Sequence, residues 1–173
     1  MATKRFYTYE EIHKLVEKLS AQVMEFKPDV MVAIGGGGFI PARILRSYIH
    51  VPILAVGLEL YDDKTNKPRD APSKTQWFDD HTKAPERLQG KRILVVDEVD
   101  DTRTTLQFCV EELVRMYSPE ALAVMVLQNK KKEKRGKLAD NITYYSGEEL
   151  EDIWLVYPWD AVDIDEHYRQ AGK

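Results

Sequence analysis

Residues 93–106 constrain the fold more than any other part of the sequence. They begin with four apolar residues, Ile93 to Val96, and such a short apolar run is typical of a strand buried on both faces of a parallel sheet. Four carboxylates and three hydroxyl residues follow around an arginine, and apolar residues then return at helical spacing: Leu106, Val110, Leu113 and Val114. The stretch therefore predicts a strand, a polar loop and a helix.

The polar loop has the composition of a ligand site. In open parallel sheets, ligands bind beyond the carboxyl ends of the strands. Thr102, Thr104 and Thr105 bring hydroxyl groups to a helix N-terminus, where free N–H groups and the helix dipole favour a phosphate. The carboxylates just upstream suit sugar hydroxyls, a divalent cation or a proton. A ligand with a phosphate, a free diol and a bound Mg²⁺ would satisfy all of these groups, whereas the simpler alternative is an acidic turn before a capped helix.

This stretch resembles the phosphoribosyl-pyrophosphate (PRPP) signature of type I phosphoribosyltransferases. The shared pattern is an apolar strand, two acidic residues, two spacer positions and a phosphate loop that begins with Asp-Thr. One departure is Arg103, where most members of the family have a small residue. A side chain of this size would either crowd the loop or point outward and add a cation near the phosphate. Arginine at this place also resembles the fungal hypoxanthine-guanine phosphoribosyltransferases.

The resemblance implies a role for each residue of the loop. Asp97 and Glu98 would hold the ribose 2- and 3-hydroxyls and help to place Mg²⁺, which prefers hard oxygen ligands. Asp101 would lie beside purine N7 as the general acid/base. The 5-phosphate would bind four consecutive residues: Thr102, Arg103, Thr104 and Thr105.

Four consecutive glycines lie between a predicted strand, Val30 to Ile34, and a helix that Pro41 is expected to open. The run does not fit the dinucleotide or the Walker phosphate motif. Alone, it predicts either a tight turn or an anion site, because glycine permits close approach of backbone to ligand. Beside the PRPP-like stretch it resembles the family's pyrophosphate loop: Gly35, Gly36, Gly37 and Gly38. Many members have Lys or Arg at the place of Gly35, a contact that this chain lacks or supplies from Arg43.

Two later segments resemble the purine-binding parts of the same family. Lys130 follows a predicted strand, Ala121 to Leu127, and resembles the lysine that hydrogen-bonds a purine 6-oxo group; the rest of the basic run 130–137 is expected to be a solvated loop. Residues 154–160 resemble the C-terminal motif of bacterial xanthine-guanine and fungal hypoxanthine-guanine enzymes.

That C-terminal motif implies three further contacts. Trp154 would stack on the base, since a flat aromatic face suits any purine, and the Leu155 carbonyl would receive the exocyclic group. Asp160 would lie near pyrophosphate and, with Asp97, near Mg²⁺. The alternative for Trp154 is that it anchors the core, and for Trp159 a core anchor is the expected role.

Residues 61–83 form a long polar stretch after the predicted strand Ile53 to Leu60. A loop of this length in a compact domain is usually a lid, a binding loop or disordered. The stretch resembles the family's mobile loop that closes over the active site, with Tyr61 at the place of an aromatic residue often found there. The alternative is a surface insertion with a small hairpin around residues 75–78.

The sequence predicts a single α/β domain over residues 1–173, with a parallel sheet, helices on both faces and a small hood from the N- and C-terminal segments. The implied function is purine salvage, in which PRPP and a 6-oxopurine (hypoxanthine, guanine or xanthine) give a nucleoside 5′-monophosphate and pyrophosphate, with Mg²⁺ as cofactor. Two alternatives stay open. One is a regulator of the same fold that senses PRPP or nucleotide and binds nucleic acid, and the other is a transferase for adenine or a pyrimidine.

Composition indicates which kinds of partner and which cellular compartment to expect. The formal net charge of −4 argues against nucleic acid as the main partner. The single cysteine, Cys109, forms no intrachain disulfide and fits a reducing compartment. No signal-peptide pattern and no membrane-spanning apolar stretch is found in the sequence, so a cytoplasmic protein without a membrane partner is expected. A homo-oligomer, dimer or tetramer, is expected because such folds commonly pair.

Overall fold

A six-stranded, mostly parallel sheet forms the centre of the protein in the computed structural model, which describes residues 3–61 and 68–173. Nothing is described of the side chains at positions 61 and 68–70. The strands are, in chain order, β1 (Lys4–Phe6), β2 (Val30–Gly35), β3 (Ile53–Tyr61), β4 (Pro68–Gln76), β5 (Arg92–Asp100), β6 (Ala121–Lys130), β7 (Thr143–Leu150) and β8 (Trp154–Val156). The helices are α1 (Tyr9–Phe26), α2 (Phe39–Ile49), α3 (Ala84–Leu88), α4 (Thr104–Tyr117) and α5 (Ile164–Gln170), with a 3₁₀ turn at Pro158–Asp160.

The strand order creates a switch point in the middle of the sheet. The order is β4-β3-β2-β5-β6-β7, and all neighbours are parallel except β3 and β4. The chain moves from β2 outward to β3 and β4, and then returns to β5 on the other side of β2. Ligands of open α/β sheets bind beyond the strand ends at such a point, so the carboxyl ends of β2 and β5 are where a site is expected.

Two apolar layers cover the sheet, one on each face. Alternate residues of β5 serve the two layers: Val95 packs in the layer that contains α4, and Val96 packs in the layer that contains α1 and α2. Both side chains are fully buried. Burial on both faces explains why the strand is a continuous apolar run. The predicted α/β architecture, with helices on both faces of the sheet, is confirmed.

The N- and C-terminal segments meet in a second, two-stranded sheet. Strands β1 and β8 pair in parallel, with Lys4 opposite Trp154 and Phe6 opposite Val156. The 3₁₀ turn and α5 follow directly after β8. This pairing brings the C-terminal residues 154–160 to the same end of the molecule as β1.

The structure differs from the sequence-based prediction in three elements. β5 continues through Asp100, because β6 pairs with it as far as the pair Asp100 and Asn129, so the acidic residues lie partly in the strand and not in a loop. The predicted loop 61–83 contains β4, an antiparallel edge strand on β3. Tyr61 ends β3, its side chain is not described, and residues 62–67 lie outside the described residues. Helix α2 begins at Phe39, two residues before the proline expected to open it.

No helix in the described ranges is both long and apolar enough to cross a membrane.

Candidate active site

A cavity of about 310 Å³ lies at the switch point, between the end of β2 and the end of β5. Leu58 and Leu60 of β3 form an apolar part of its wall, and α4 closes one end. Most of the residues predicted to bind PRPP line it together: Gly35, Gly36, Gly37, Asp97, Glu98, Asp101, Thr102, Arg103 and Thr105. Residues distant in sequence thus meet in one polar cavity, as the resemblance implied.

The loop between β5 and α4 offers an anion-binding backbone. Arg103 precedes the helix in the left-handed conformation, with φ 66°, and no side chain caps the first turn. Among the described residues, no acceptor is found for the main-chain N–H groups of residues 102–105. The hydroxyl groups of Thr102 and Thr104 lie 3.1 Å apart. Free N–H groups and hydroxyls at a helix N-terminus are what a phosphate requires.

Arg103 takes neither of the two orientations expected from its size. Its Nε and Nη2 donate to Asp100 Oδ2, at 2.8 and 2.7 Å, and its guanidinium lies over the Tyr144 ring, 4.9 Å from the centroid. The cation is therefore paired with a buried carboxylate and turned back under the loop. The side chain supports the loop without crowding it.

Asp97 and Glu98 place two carboxylates at the cavity. Asp97 is buried, its Oδ1 accepts a hydrogen bond from the Glu98 N–H at 2.9 Å, and burial together with the charge of Glu98 raises the pKa of its carboxyl. The Glu98 carboxylate lies against Gly37, where a Cβ atom would collide with it. A bound cation would relieve the repulsion that these two neighbouring carboxylates exert on each other.

The glycine run divides between two roles. Gly35, Gly36 and Gly37 line the cavity, and the peptide bond between Gly35 and Gly36 is cis. Gly38 does not line it; its N–H donates to the Ile34 carbonyl at 2.8 Å, and a Cβ atom there would collide with the carbonyl of Val96. Gly38 therefore permits close packing of the loop on the sheet, and the first three glycines face the ligand space.

Two lysines and two aspartates join the loop to the C-terminal segment. Lys130 Nζ lies 3.5 Å from Asp101 Oδ1 and 3.3 Å from Asp152 Oδ1. Lys132 Nζ lies 3.0 Å from Asp101 Oδ1 and 2.9 Å from Asp152 Oδ2. Lys130 is thus placed beside Asp101, as a purine-contacting lysine would be. Sequence reasoning missed Lys132 and Asp152; the available signals were the second lysine after Lys130 and an aspartate two residues before Trp154.

The residues of the C-terminal motif have very different exposures. Trp154 is 64% exposed, so it is not a core anchor, whereas the Trp159 ring stacks on Tyr157 with the centroids 4.6 Å apart. Leu155 packs partly against the apolar layer of α1 and α2. Burial, and then the charge of Glu98, raise the pKa of the Asp160 carboxyl. Asp160 is therefore electrostatically coupled to the acidic pair at the end of β5.

A buried hydrogen-bond chain fastens this C-terminal segment to the sheet. The Tyr157 hydroxyl donates to Gln128 Oε1 at 2.6 Å, and Gln128 Nε2 donates to Glu148 Oε2 at 3.2 Å. The Tyr7 hydroxyl donates to the same Glu148 oxygen at 2.7 Å. The Tyr157 oxygen also lies 3.4 Å from the Glu98 carbonyl. The hydrogen-bond chain joins the residue after β1 and the residue before the 3₁₀ turn to β6 and β7, next to the acidic end of β5.

Residues 3–162 match the model of the phosphoribosyl transferase domain. The chain belongs to this family. It is 40% identical to the hypoxanthine-guanine phosphoribosyltransferase of Schizosaccharomyces pombe, over 97% of this chain and 94% of the relative. It is 38% identical to xanthine phosphoribosyltransferase 1 of Saccharomyces cerevisiae, over 95% of this chain and 93% of the relative. The fold is similar to a crystal structure of a hypothetical protein from Neisseria gonorrhoeae with bound ppGpp, with a TM-score of 0.88. The two sequences are 44% identical, and the match covers 99% of this chain and 97% of the other.

Proposed function

We propose that this phosphoribosyltransferase acts in purine salvage and transfers the 5-phosphoribosyl group of PRPP to N9 of a 6-oxopurine, namely hypoxanthine, guanine or xanthine. The observation that carries the proposal is the likeness over nearly the whole chain to relatives named for hypoxanthine-guanine and xanthine transfer. The products are a nucleoside 5′-monophosphate and pyrophosphate. Displacement at the ribose C1 passes through a cation-like centre, so the enzyme mainly positions its substrates and stabilises charge.

Asp97 and Glu98 would accept hydrogen bonds from the ribose 2- and 3-hydroxyls. The 5-phosphate would occupy the start of α4, where the N–H groups of the first turn are free and the hydroxyls of Thr102 and Thr104 lie 3.1 Å apart. The glycines that line the cavity would donate main-chain N–H groups to the leaving pyrophosphate. Each of these contacts uses a group that the cavity already presents, so binding would require little rearrangement of the loop.

The carboxylates of Asp97, which lines the cavity, and of Asp160, in the C-terminal segment, fit Mg²⁺. No group of three His, Cys, Asp or Glu side chains able to hold a metal occurs within residues 3–61 and 68–173, but Mg²⁺ usually takes only one or two carboxylates and completes its shell with substrate phosphates and water. Asp97 and Asp160 are the proposed ligands. Besides burial, the charge of Glu98 raises the pKa of both carboxyls, so both feel the same neighbouring charge. A bound Mg²⁺ would neutralise charge on the pyrophosphate.

The base would bind between the loop and the C-terminal segment. Lys130 would donate to the 6-oxo group, Trp154 would stack on the ring, and the Leu155 carbonyl would accept from the 2-position. Asp101 would exchange a proton with purine N7 as general acid/base. The contacts of Lys130 with Asp101 and Asp152 are the ones that an incoming oxo group would replace.

A spectrophotometric assay with PRPP and Mg²⁺ tests the function against hypoxanthine, guanine, xanthine and adenine. We expect turnover of at least one oxopurine, little turnover of adenine, and a loss of about a hundredfold or more in Asp101→Asn. Asp140→Asn is the matched control, since Asp140 is exposed and distant in sequence from the loop. Turnover of adenine alone, or of no base while PRPP still binds, would overturn the proposal.

The alternative of a nucleic-acid-binding regulator has less support. Its only sequence feature was the basic run 130–137. Three of those lysines are engaged with acidic residues or carbonyls of the loop: Lys130, Lys132 and Lys134. These three lysines are therefore not available as a free basic patch, which leaves only the exposed residues of the run for nucleic acid. The homo-oligomer and the cytoplasmic location stay predictions.

Regulation by ppGpp is a second candidate property. The observation that favours it is the structure with bound ppGpp, at 44% identity over nearly the whole chain. The ligand is a guanine nucleotide with phosphates on both sides of the ribose, and two loops of the cavity, at the glycines and at α4, would bind them. We expect ppGpp to inhibit turnover competitively with PRPP, and GDP to inhibit less. Absence of inhibition at saturating ppGpp would exclude it.

A further inference from the structure

Lys134 contacts the loop but does not line the cavity. Its Nζ donates to the main-chain carbonyls of Asp100 and Asp101, at 2.7 and 2.9 Å. Lys134 is itself only partly exposed and belongs to the basic run that follows β6. A lysine that donates to two successive carbonyls fixes the orientation of two successive peptide groups.

The residues after Lys134 fix a third peptide group. The N–H groups of Arg135 and Gly136 both donate to the Thr102 carbonyl at 3.0 Å. Gly136 is buried, and a Cβ atom there would collide with the carbonyl of Arg103. Only a glycine lets the backbone of this segment approach the loop so closely.

Because peptide groups are planar, holding the carbonyls of the loop also fixes the direction of its N–H groups. In a planar trans peptide, the carbonyl of one residue and the N–H of the next point in opposite directions. Because the carbonyls of residues 100–102 are held by residues 134–136, the N–H groups of residues 101–103 point away from that segment. Residues 101–103 line the cavity, so the orientation directs donors to the phosphate position and keeps carbonyl dipoles away from it.

Asp100 supplies the buried charge that anchors this arrangement. Its side chain is fully buried, Oδ2 accepts from Arg103 and from the Tyr144 hydroxyl at 2.7 Å, and Lys134 Nζ lies 3.3 Å from Oδ1. A buried carboxylate is costly unless it is paired. Asp100, Arg103 and Lys134 together carry one net positive charge at the loop.

We propose that residues 134–136 act as a clamp that orders the phosphate loop before PRPP binds, and that Lys134 is a positioning residue for the 5-phosphate. The inference deepens the proposed function, because it rests on a 5-phosphate bound at residues 102–105. Ordering the loop in advance removes part of the entropy cost of binding. The clamp therefore acts on phosphate affinity and not on the base.

Two variants separate the clamp from a simple charge effect. Lys134→Met removes the ammonium group, whereas Gly136→Ala pushes the clamp away from Arg103 and changes no charge. We expect each to raise the KM for PRPP about tenfold or more, to leave the KM for the base within about twofold, and Lys134→Arg to recover part of the loss. Lys131→Met is the matched control, since Lys131 is an exposed lysine of the same run.

Direct binding distinguishes failure of the clamp from failure of the proposed function. Calorimetry with a nucleoside 5′-monophosphate and with its nucleoside measures the phosphate contribution without turnover, and thermal unfolding identifies a variant that has lost its fold. We expect Lys134→Met and Gly136→Ala to weaken the monophosphate and to leave the nucleoside unchanged. Equal loss for both ligands, or an effect of Lys134→Met without one of Gly136→Ala, would overturn the clamp. If the wild type turns over no base but binds the monophosphate, the proposed function is overturned, and the titrations still test the clamp. If the wild type binds neither ligand, both the proposed function and the clamp are overturned.

Discussion

The carboxylate of Asp101 lies 3.0 Å from the ammonium group of Lys132, which also contacts Asp152. Asp101 is the proposed general acid/base and its side chain is 43% exposed, so its orientation depends on the contacts with Lys132 and, at 3.5 Å, with Lys130. The hydrogen bonds that Lys132 donates to Asp152 and Asp101 raise its pKa. Lys132 therefore stays charged at neutral pH and holds the carboxylate where the purine would arrive.

Loss of this contact has a kinetic consequence. In Lys132→Met we expect kcat to fall about tenfold, which corresponds to ~1.4 kcal/mol of transition-state stabilisation, because Asp101 is free to leave its position. The KM for PRPP should change little. Steady-state assays with a saturating base measure both quantities, and Lys131→Met serves as the exposed control. An unchanged kcat in Lys132→Met would contradict a positioning role.

The exposed Trp154 gives a prediction that separates binding from stability. Since its side chain is 64% exposed, Trp154→Ala should change the free energy of unfolding by less than about 0.5 kcal/mol. Loss of stacking should raise the KM for the base about tenfold, because base–aromatic stacking contributes about 1–3 kcal/mol. Trp159→Ala is the contrasting variant: it removes the stack on Tyr157 and should lower the free energy of unfolding by about 2 kcal/mol. Equal effects of the two substitutions on unfolding would contradict this division.

Removal of one hydroxyl tests the buried polar chain. Tyr157→Phe leaves the fully buried Gln128 side chain without its donor, and an unsatisfied buried polar group costs about 1–3 kcal/mol. We expect a loss of that size in the free energy of unfolding, measured in urea. Tyr168→Phe is the control, because the Tyr168 hydroxyl makes only a 3.3 Å contact at the surface. A loss no greater than that of the control would mean that the chain adds nothing to stability.

The parts of the fold that could be predicted from sequence are those whose burial is complete. The runs in β2, β5 and β6 are apolar because both faces are covered, and the pattern needs no knowledge of the partner strands. β4 and β7 escaped prediction for the opposite reason. β4 contains two prolines and mostly polar residues, and it is a strand because it covers the edge of β3. β7 is a half-buried edge strand that pairs only with β6.

The candidate site divides in the same way. The loop after β5 could be predicted because its acidic and hydroxyl residues are contiguous in sequence. Neighbouring residues of one loop stay close together whatever the rest of the chain does. The supports of that loop are contacts between distant segments: Asp152 and Lys132, Tyr144 and Asp100, Gly136 and Arg103. No spacing rule connects such pairs. The orientation of Arg103 illustrates this limit, since its direction depends on a buried carboxylate and an aromatic ring of another strand.

Glu112 connects the edge strand β4 to α4 and makes its attachment dependent on pH. Hydrogen bonds from Arg115 and Lys74 lower the pKa of the Glu112 carboxyl from an ordinary 4.5 to about 2. A lowered pKa in the folded state means that ionised Glu112 stabilises the fold above about pH 4.5, and that this contribution is lost as the pH falls towards 2. At pH 7, Glu112→Gln should therefore reduce the free energy of unfolding by about 1 kcal/mol.

The pH dependence of that difference is the decisive measurement. Urea unfolding of the wild type and of Glu112→Gln should give curves that differ at pH 7 and converge between about pH 4.5 and about pH 2, because protonated Glu112 no longer attracts Lys74 and Arg115. Glu111→Gln is the matched control: Glu111 is exposed and accepts a hydrogen bond only from Gln107 of its own helix, so its effect should be small and nearly independent of pH. A difference for Glu112→Gln that persists unchanged to pH 2 would mean that the contact stabilises β4 through packing of the side chain and not through its charge.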